Sequence, residues 1–195
     1  MNDTKRWVII LAMLAGMFAE AVAVAAEESL SLAGQWRFQL DRSDAGLGER
    51  WFERTLPGTI RLPGSLPAQG IGDEVTVDTK WTGGILDRAW FTAAEYEKYR
   101  QPGNVKVPFW LQPDKCYVGA AWYQRDVEVP AAWESKRVVL TLERPHWETR
   151  VWADGKSCGA NNSLSTPHKY DLGLLAPGKH QLTIRVDIWS AARAR

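Results

Sequence analysis

From about residue 117 onward, apolar and polar residues alternate with a period of two, and that alternation excludes a helical core for this part of the chain. Tyr123, Arg125, Val127 and Val129 interleave with Trp122, Gln124, Asp126 and Glu128. Pro130 ends the run, because it has no amide hydrogen to give a ladder. Arg137 to Glu143 sets Val138, Leu140 and Leu142 on one face, and Trp147 to Ala153 does the same for Trp147, Thr149 and Val151. Asp154-Gly155 tolerates the positive φ of a tight turn, which predicts a hairpin between Thr149 and Cys158. The last run, His180 to Trp189, places Leu182, Ile184, Val186 and Ile188 opposite Gln181, Thr183, Arg185 and Asp187. It follows Ala176-Pro177-Gly178-Lys179, a turn-forming stretch expected to bring the chain back antiparallel. Short strands broken by turns at this spacing predict an all-β sandwich, and nothing reads as a βαβ unit.

Between Leu47 and Cys116 the pattern is lost among many Gly and Pro residues. One helical piece is expected around Thr92 to Tyr99, with Thr92 as its cap and Glu95 completing a capping box. A connection this long inside a compact domain is a functional loop or a disordered one, and Trp81, Trp90, Phe91, Phe109 and Trp110 argue for order.

The first 26 residues follow other rules. Lys5 and Arg6 precede an apolar run from Trp7 to Phe18, and small residues from Ala19 to Ala26 follow, which is the order of a secretory signal peptide. The run is short for a membrane span and Glu20 interrupts it, so a stable membrane anchor is not expected. Cleavage after Ala23 or Ala26 satisfies the small-residue rule equally, and the mature chain is expected to begin near Glu27, in the periplasm or outside the cell. Export permits Cys116 and Cys158 to pair, but two cysteines beside so large an apolar fraction are not a disulfide scaffold. A formal charge of +1 provides no field to gather nucleic acid.

Four stretches, in order, resemble the sugar-binding domain of family-two glycoside hydrolases, the group of β-galactosidases, β-glucuronidases and β-mannosidases. Leu32-Ala33-Gly34-Gln35-Trp36-Arg37-Phe38 resembles the family's opening strand, and Gly119 to Arg125 running on to Val129-Pro130 its aromatic-Tyr-Arg strand. Arg137 to Leu142 with Val151-Trp152-Ala153-Asp154-Gly155-Lys156 and Gly159 resembles the hydrophobic strand and hairpin. Thr166 to Leu172 through Pro177 to Leu182 resembles the closing segment and its turn. The resemblance covers roughly residues 30 to 189. It implies a jelly-roll β-sandwich of the galactose-binding-domain-like class over residues 27–195, with a loop-rich insertion at about 64–116. Arg61-Leu62-Pro63-Gly64-Ser65 and Lys80-Trp81-Thr82-Gly83-Gly84 look like that elaborated loop region. Full-length members continue into an immunoglobulin-like domain and a catalytic (β/α)₈ barrel, whereas this sequence stops at Arg195. The expectation is therefore the non-catalytic N-terminal part of an exported β-glycosidase, with a β-linked glycan as partner and without a cofactor. The alternatives are a free-standing extracytoplasmic carbohydrate-binding module and an interaction module.

No catalytic residue is assigned. Retaining glycosidases need two carboxylates about 5 Å apart, but Glu128, Glu143, Glu148 and Asp187 fall on the polar phase of strands, where a solvated face accounts for them. Sugars stack their C–H face on indole rings. Trp36, Trp122, Trp147 and Trp152 lie within regular strands and are expected in the core. Trp81, Trp90, Trp110 and Trp189 lie in loops or at a strand end, where binding residues collect. In family-two enzymes loops of this domain reach the substrate, which makes Trp81 and Asp87 the candidate substrate-binding residues. Asn161 and Asn162 read as turn formers. His146 and His168 lack convergent ligands, so no metal site is expected.

Overall fold

The computed structural model describes residues 28–79, 81, 85–108 and 110–187. The signal-peptide reading of residues 1–26, the loop residues Lys80, Thr82, Gly83, Gly84 and Phe109, and the strand end at Ile188 and Trp189 lie outside the described residues. Contacts divide the chain into two units, residues 1–31 and 32–195, and every element named below belongs to the second.

Among the described residues there are ten strands and one short α-helix, besides short 3₁₀ turns: β1 Gly34–Asp41, β2 Gly58–Leu62, β3 Asp73–Glu74, α1 Ala89–Thr92, β4 Lys115–Cys116, β5 Ala120–Val129, β6 Arg137–Leu142, β7 Glu148–Ala153, β8 Lys156–Asn161, β9 His168–Leu174 and β10 Gly178–Asp187. Six of them form an antiparallel sheet in the order β2-β1-β5-β10-β7-β8, facing a second layer of β6 and β9. This is an all-β sandwich, as the alternation predicts. The hairpin is where the sequence places it: Ala153 pairs with Lys156 across Asp154 and Gly155, whose φ values are +49° and +75°.

Between the layers, Trp36, Phe38, Ile60, Ala121, Leu140, Val151, Tyr170, Leu182 and Ile184 form the principal core. Polar groups pin the layers together inside it. His168, fully buried, has Nε2 2.8 Å from the Ser163 carbonyl, which fixes the proton on that nitrogen. Nδ1 therefore accepts from the Thr149 hydroxyl at 2.6 Å, and the Tyr170 hydroxyl donates to the Thr149 carbonyl at 2.9 Å.

Three expectations are corrected. The polar phase of β5 and β10 is solvated only toward one end, because the segment from Asp44 to Leu56 folds over the rest. Gln124, Thr183 and Arg185 are at most 1% exposed. Gln124 accepts from the Leu56 amide and donates to the Arg54 carbonyl, and Arg185 lies 2.6 Å from both Asp44 and Asp187. Trp122 and Trp152 stack there at 5.2 Å, and Phe52 covers Trp152 at 5.0 Å, so the two strand tryptophans sit in a second core. Asp187 accordingly serves a buried guanidinium, whereas Glu128 and Glu143 are exposed and Glu148 pairs with Arg150. Second, the stretch before His180 does lead into an antiparallel strand, but β10 pairs with β5 and β7 and not with the preceding β9, which pairs with β6, so residues 175–177 carry the chain between layers.

Third, Thr92 does not cap a helix. It is the last residue of α1; Ala93 is extended at φ −66°, ψ 139°, and a 3₁₀ helix, Ala94–Tyr99, begins without a side-chain cap. Arg100 donates to the carbonyls of Trp90 and Ala93 and so satisfies the helix end from the C-terminal side.

Candidate functional site

The insertion is ordered by two anchors. Trp90 is 1% exposed and donates its indole N–H to the Lys106 carbonyl at 2.9 Å, so it belongs to the scaffold and not to the ligand-facing tryptophans the sequence suggested. Gln112 brackets the same stretch, accepting from the Val107 amide at 2.8 Å and donating to the Val105 carbonyl at 2.9 Å. Together they fix the segment that presents Trp110.

Trp110 meets Trp81 edge to face, with ring centroids 6.0 Å apart and planes 85° apart. Trp81 is half-buried, and its amide donates to the Thr79 carbonyl. That carbonyl belongs to a tight turn in which the Thr76 amide donates to Thr79 Oγ1 at 2.8 Å. The turn is also one wall of an open cavity of about 270 Å³ lined by Asp73, Glu74, Thr76, Thr79, Cys116 and Val118. Both carboxylates are held by cations: Arg42 lies 2.7 Å from Asp73, and Lys115 pairs with Glu74. The Arg42 bond holds Asp73 below the usual carboxylate range, so it stays an acceptor at neutral pH. Burial pushes the Cys116 thiol up, which leaves it protonated and unreactive there. Both cysteines, Cys116 and Cys158, are free.

The indole corner thus joins, through the Thr79 carbonyl, the turn that walls a cavity bearing two carboxylates and two threonines; indole rings suit the C–H face of a sugar and carboxylates its hydroxyls. Leu86, Leu111, Val77 and Phe91 add exposed apolar side chains to the same insertion. Asp87 is placed differently. It is exposed, and its Oδ1 accepts the Ala89 amide at 2.9 Å, which gives it the work of starting α1. Among the described residues no hydrogen bond or ring contact joins Asp87 to Trp81. Asn161 accepts from the Ser163 amide and Asn162 lends its carbonyl to the Trp147 indole, both turn roles. Among the described residues no three His, Cys, Asp or Glu side chains converge as a metal site would need.

Asp73, Glu74, Thr76 and Thr79 are residues that sequence reasoning missed. Their only signal is proximity in the chain to Trp81, since the two-residue strands that bring Cys116 against Asp73 are too short to read.

Residues 30–194 match the family model described as glycosyl hydrolases family 2, sugar binding domain. A β-galactosidase of Arthrobacter sp. (strain B7) is 34% identical over 179 residues, covering 84% of this chain and 16% of that enzyme. A β-glucuronidase of Paenibacillus borealis is 22% identical over 162 residues, covering 82% of this chain and 21% of that enzyme. Among solved structures, a Ruminococcus gnavus β-glucuronidase superposes with a TM-score of 0.55 at 17% identity over 82% of this chain and 21% of its own length, a likeness of fold. The chain therefore spans about a fifth of the length of these relatives.

Proposed function

Because the chain belongs to the sugar-binding domain of the family 2 glycosyl hydrolases, we propose that it is the non-catalytic carbohydrate-binding part of an exported β-glycosidase. The observation that carries this reading is the corner of Trp81 and Trp110, joined through the Thr79 carbonyl to the turn that walls the cavity of Asp73, Glu74, Thr76 and Thr79. In this reading the corner receives the apolar face of one sugar of a β-linked glycan. The carboxylates, paired with Arg42 and Lys115, accept hydrogen bonds from its hydroxyls. Asp87 supports the corner only through α1. The bond-breaking carboxylates would lie in further domains like those of the longer relatives, and galactosides and glucuronides are the first substrates to try, from the names of those relatives.

The test uses the chain as it stands. Binding of methyl β-galactopyranoside and methyl β-glucuronide is followed by the tryptophan fluorescence of the protein, and release of p-nitrophenol from the matching aryl glycosides is assayed alongside. We expect saturable quenching that Trp81→Ala diminishes, with no hydrolysis. Hydrolysis, or quenching whose amplitude and affinity Trp81→Ala leaves unchanged, would overturn the reading. Export is tested separately by expressing the chain and sequencing its N-terminus, expected near Glu27.

A second reading, an interaction module, is favoured by the exposure of Leu86 and Leu111, 89% and 105%. It predicts self-association by sedimentation velocity that a Leu86→Ser, Leu111→Ser variant loses.

A further inference from the structure

The six-stranded sheet is not continuous between β1 and β5. Their pairing runs from Asp41 opposite Ala120 to Arg37 opposite Gln124 and stops there. Beyond that point β1 stays paired with β2 as far as Gly34, and β5 stays paired with β10 as far as Val129. Two inner strands thus diverge while each keeps its outer neighbour, and the gap is an open cleft of about 380 Å³.

Side chains hold the divergence open. Arg37 crosses the gap with Nε on Gln124 Oε1 at 2.8 Å and two further bonds to Asp126, and Lys179 adds a contact to Asp126 at 2.9 Å. These bonds from Arg37 and then Lys179 hold the Asp126 carboxyl down at about 2. Arg125 reaches the other way, donating to the carbonyls of Leu32 and Ala33 where the chain enters β1. The walls are therefore rigid and charged. At the rim, the side chains of Gln35 and Thr59 are exposed and make no hydrogen bond among the described residues. The cleft thus combines a preorganised guanidinium and carboxylate with a free amide and a free hydroxyl, and it has no exposed aromatic ring.

We propose that this cleft is a second carbohydrate subsite, separate from the Trp81 corner, which takes one sugar residue through its hydroxyls. A guanidinium has five N–H donors and Arg37 spends three on Gln124 and Asp126, so two remain for hydroxyl oxygens. Asp126 keeps lone pairs for hydroxyl protons, and Gln35 and Thr59 supply both roles. The volume is at the low end of the roughly 300–1,000 Å³ of small-molecule sites, which fits one ring and not an oligosaccharide. Lacking a stacking platform, recognition here follows hydroxyl orientation more than ring hydrophobicity. Two of the four stretches by which the sequence resembles its family, around Trp36 and around Arg125, meet at this cleft.

The inference rests on the sugar-binding reading, and the test separates the two. Methyl β-galactopyranoside and methyl β-glucuronide are titrated into the ¹⁵N-labelled chain while backbone amides and the Gln124 side-chain amide are followed by NMR. We expect saturable shifts at Gln35, Asp126 and Gln124 that survive Trp81→Ala and weaken about tenfold, a 1.4 kcal/mol loss, in Gln35→Ala, Thr59→Val. Neither substitution removes an internal bond, so the variant keeps its fold. Shifts confined to the insertion, or shifts near Gln35 that the double variant leaves unchanged, would overturn the cleft and leave the sugar-binding reading standing. No shift anywhere with either sugar would overturn both.

Discussion

Asp41 offers the sharpest test of how the second core is held. It is 2% exposed, yet its carboxylate has three donors: the Ala45 amide at 2.8 Å on Oδ1, and the Gly46 amide at 2.9 Å and the Trp122 indole at 3.0 Å on Oδ2. The site is filled to contact, since a Cβ on Gly46 would lie 2.6 Å from Trp122 Nε1 and 2.7 Å from Asp41 Oδ2. Asp41→Asn keeps the shape and changes only the hydrogen-bonding character. The amide oxygen can retain the two donors of Gly46 and Trp122, but the NH₂ then faces the Ala45 amide, donor against donor. Losing one buried bond to a charged acceptor costs about 1.5–3 kcal/mol, and the two that remain become neutral and weaker by roughly half. The sum is about 3–6 kcal/mol out of the ~5–15 kcal/mol typical of a domain. In urea, with a slope of about 2 kcal/mol/M, the midpoint should fall by about 1.5–3 M at unchanged slope. Tryptophan emission is the natural probe, because Trp122 sits on the perturbed carboxylate. A fall below about 0.5 M, no larger than that of the exposed control Asp114→Asn, would refute the claim that this carboxylate fastens the covering segment.

The other predictions concern the remaining polar anchors. His180 faces the Asp154 carboxylate at 2.6 Å and the Ala176 carbonyl at 2.7 Å, so both ring nitrogens must donate. The Asp154 bond, then the Ala176 carbonyl, raises His180 above the usual imidazole range, with Glu128 adding to it and Lys156 acting on Asp154. The stabilisation is present below the unfolded imidazole value of about 6.5 and is lost as pH rises through the raised folded value. His180→Gln should therefore lower the urea midpoint at pH 5.5 and leave it unchanged at pH 9; an equal loss at both would exclude a charged ring. Thr149→Val keeps the shape but leaves His168 Nδ1 without its donor, at a cost of about 1–3 kcal/mol. By calorimetry the melting temperature should fall by about 2–4 °C per kcal/mol, and a neutral result would mean the layers are pinned by packing alone. Burial pushes both cysteine thiols up, so iodoacetamide at pH 7.5 should label native Cys116 and Cys158 far more slowly than the unfolded chain. Labelling at the unfolded rate would contradict their burial.

Why the sequence disclosed one face of this sheet and not the other is a matter of what alternation encodes. Leu182, Ile184 and Val186 repeat every second residue, and burying them against Leu140 and Tyr170 needs no information beyond that repeat. Thr183 and Arg185 occupy the opposite phase and read as solvent-facing, yet both are 1% exposed. What buries them is an irregular stretch around Trp51 and Leu56 with no period to detect. β2 was hidden for a related reason: five residues between Pro57 and Pro63 are too few to establish a repeat. The candidate site divides in the same way. Trp81 was legible as an aromatic in a loop, but the partners that give it a setting, Trp110 across the insertion and Thr79 within a turn, are matters of tertiary placement.

A polar residue on a strand therefore reports its own chemistry and not its exposure. Arg185 can enter the interior because Asp44, 141 positions away, comes down beside it as the covering segment folds over Trp122 and Trp152. A charge in that position is costly unless its partner arrives with it, so the burial of Arg185 and the docking of the segment from Asp44 to Leu56 stand or fall together. Neither half of that pair is visible in the local pattern. The same holds for Arg37 and Asp126 at the sheet divergence, where strands that alternate without interruption in sequence separate in space because charged side chains take over from the missing ladder bonds.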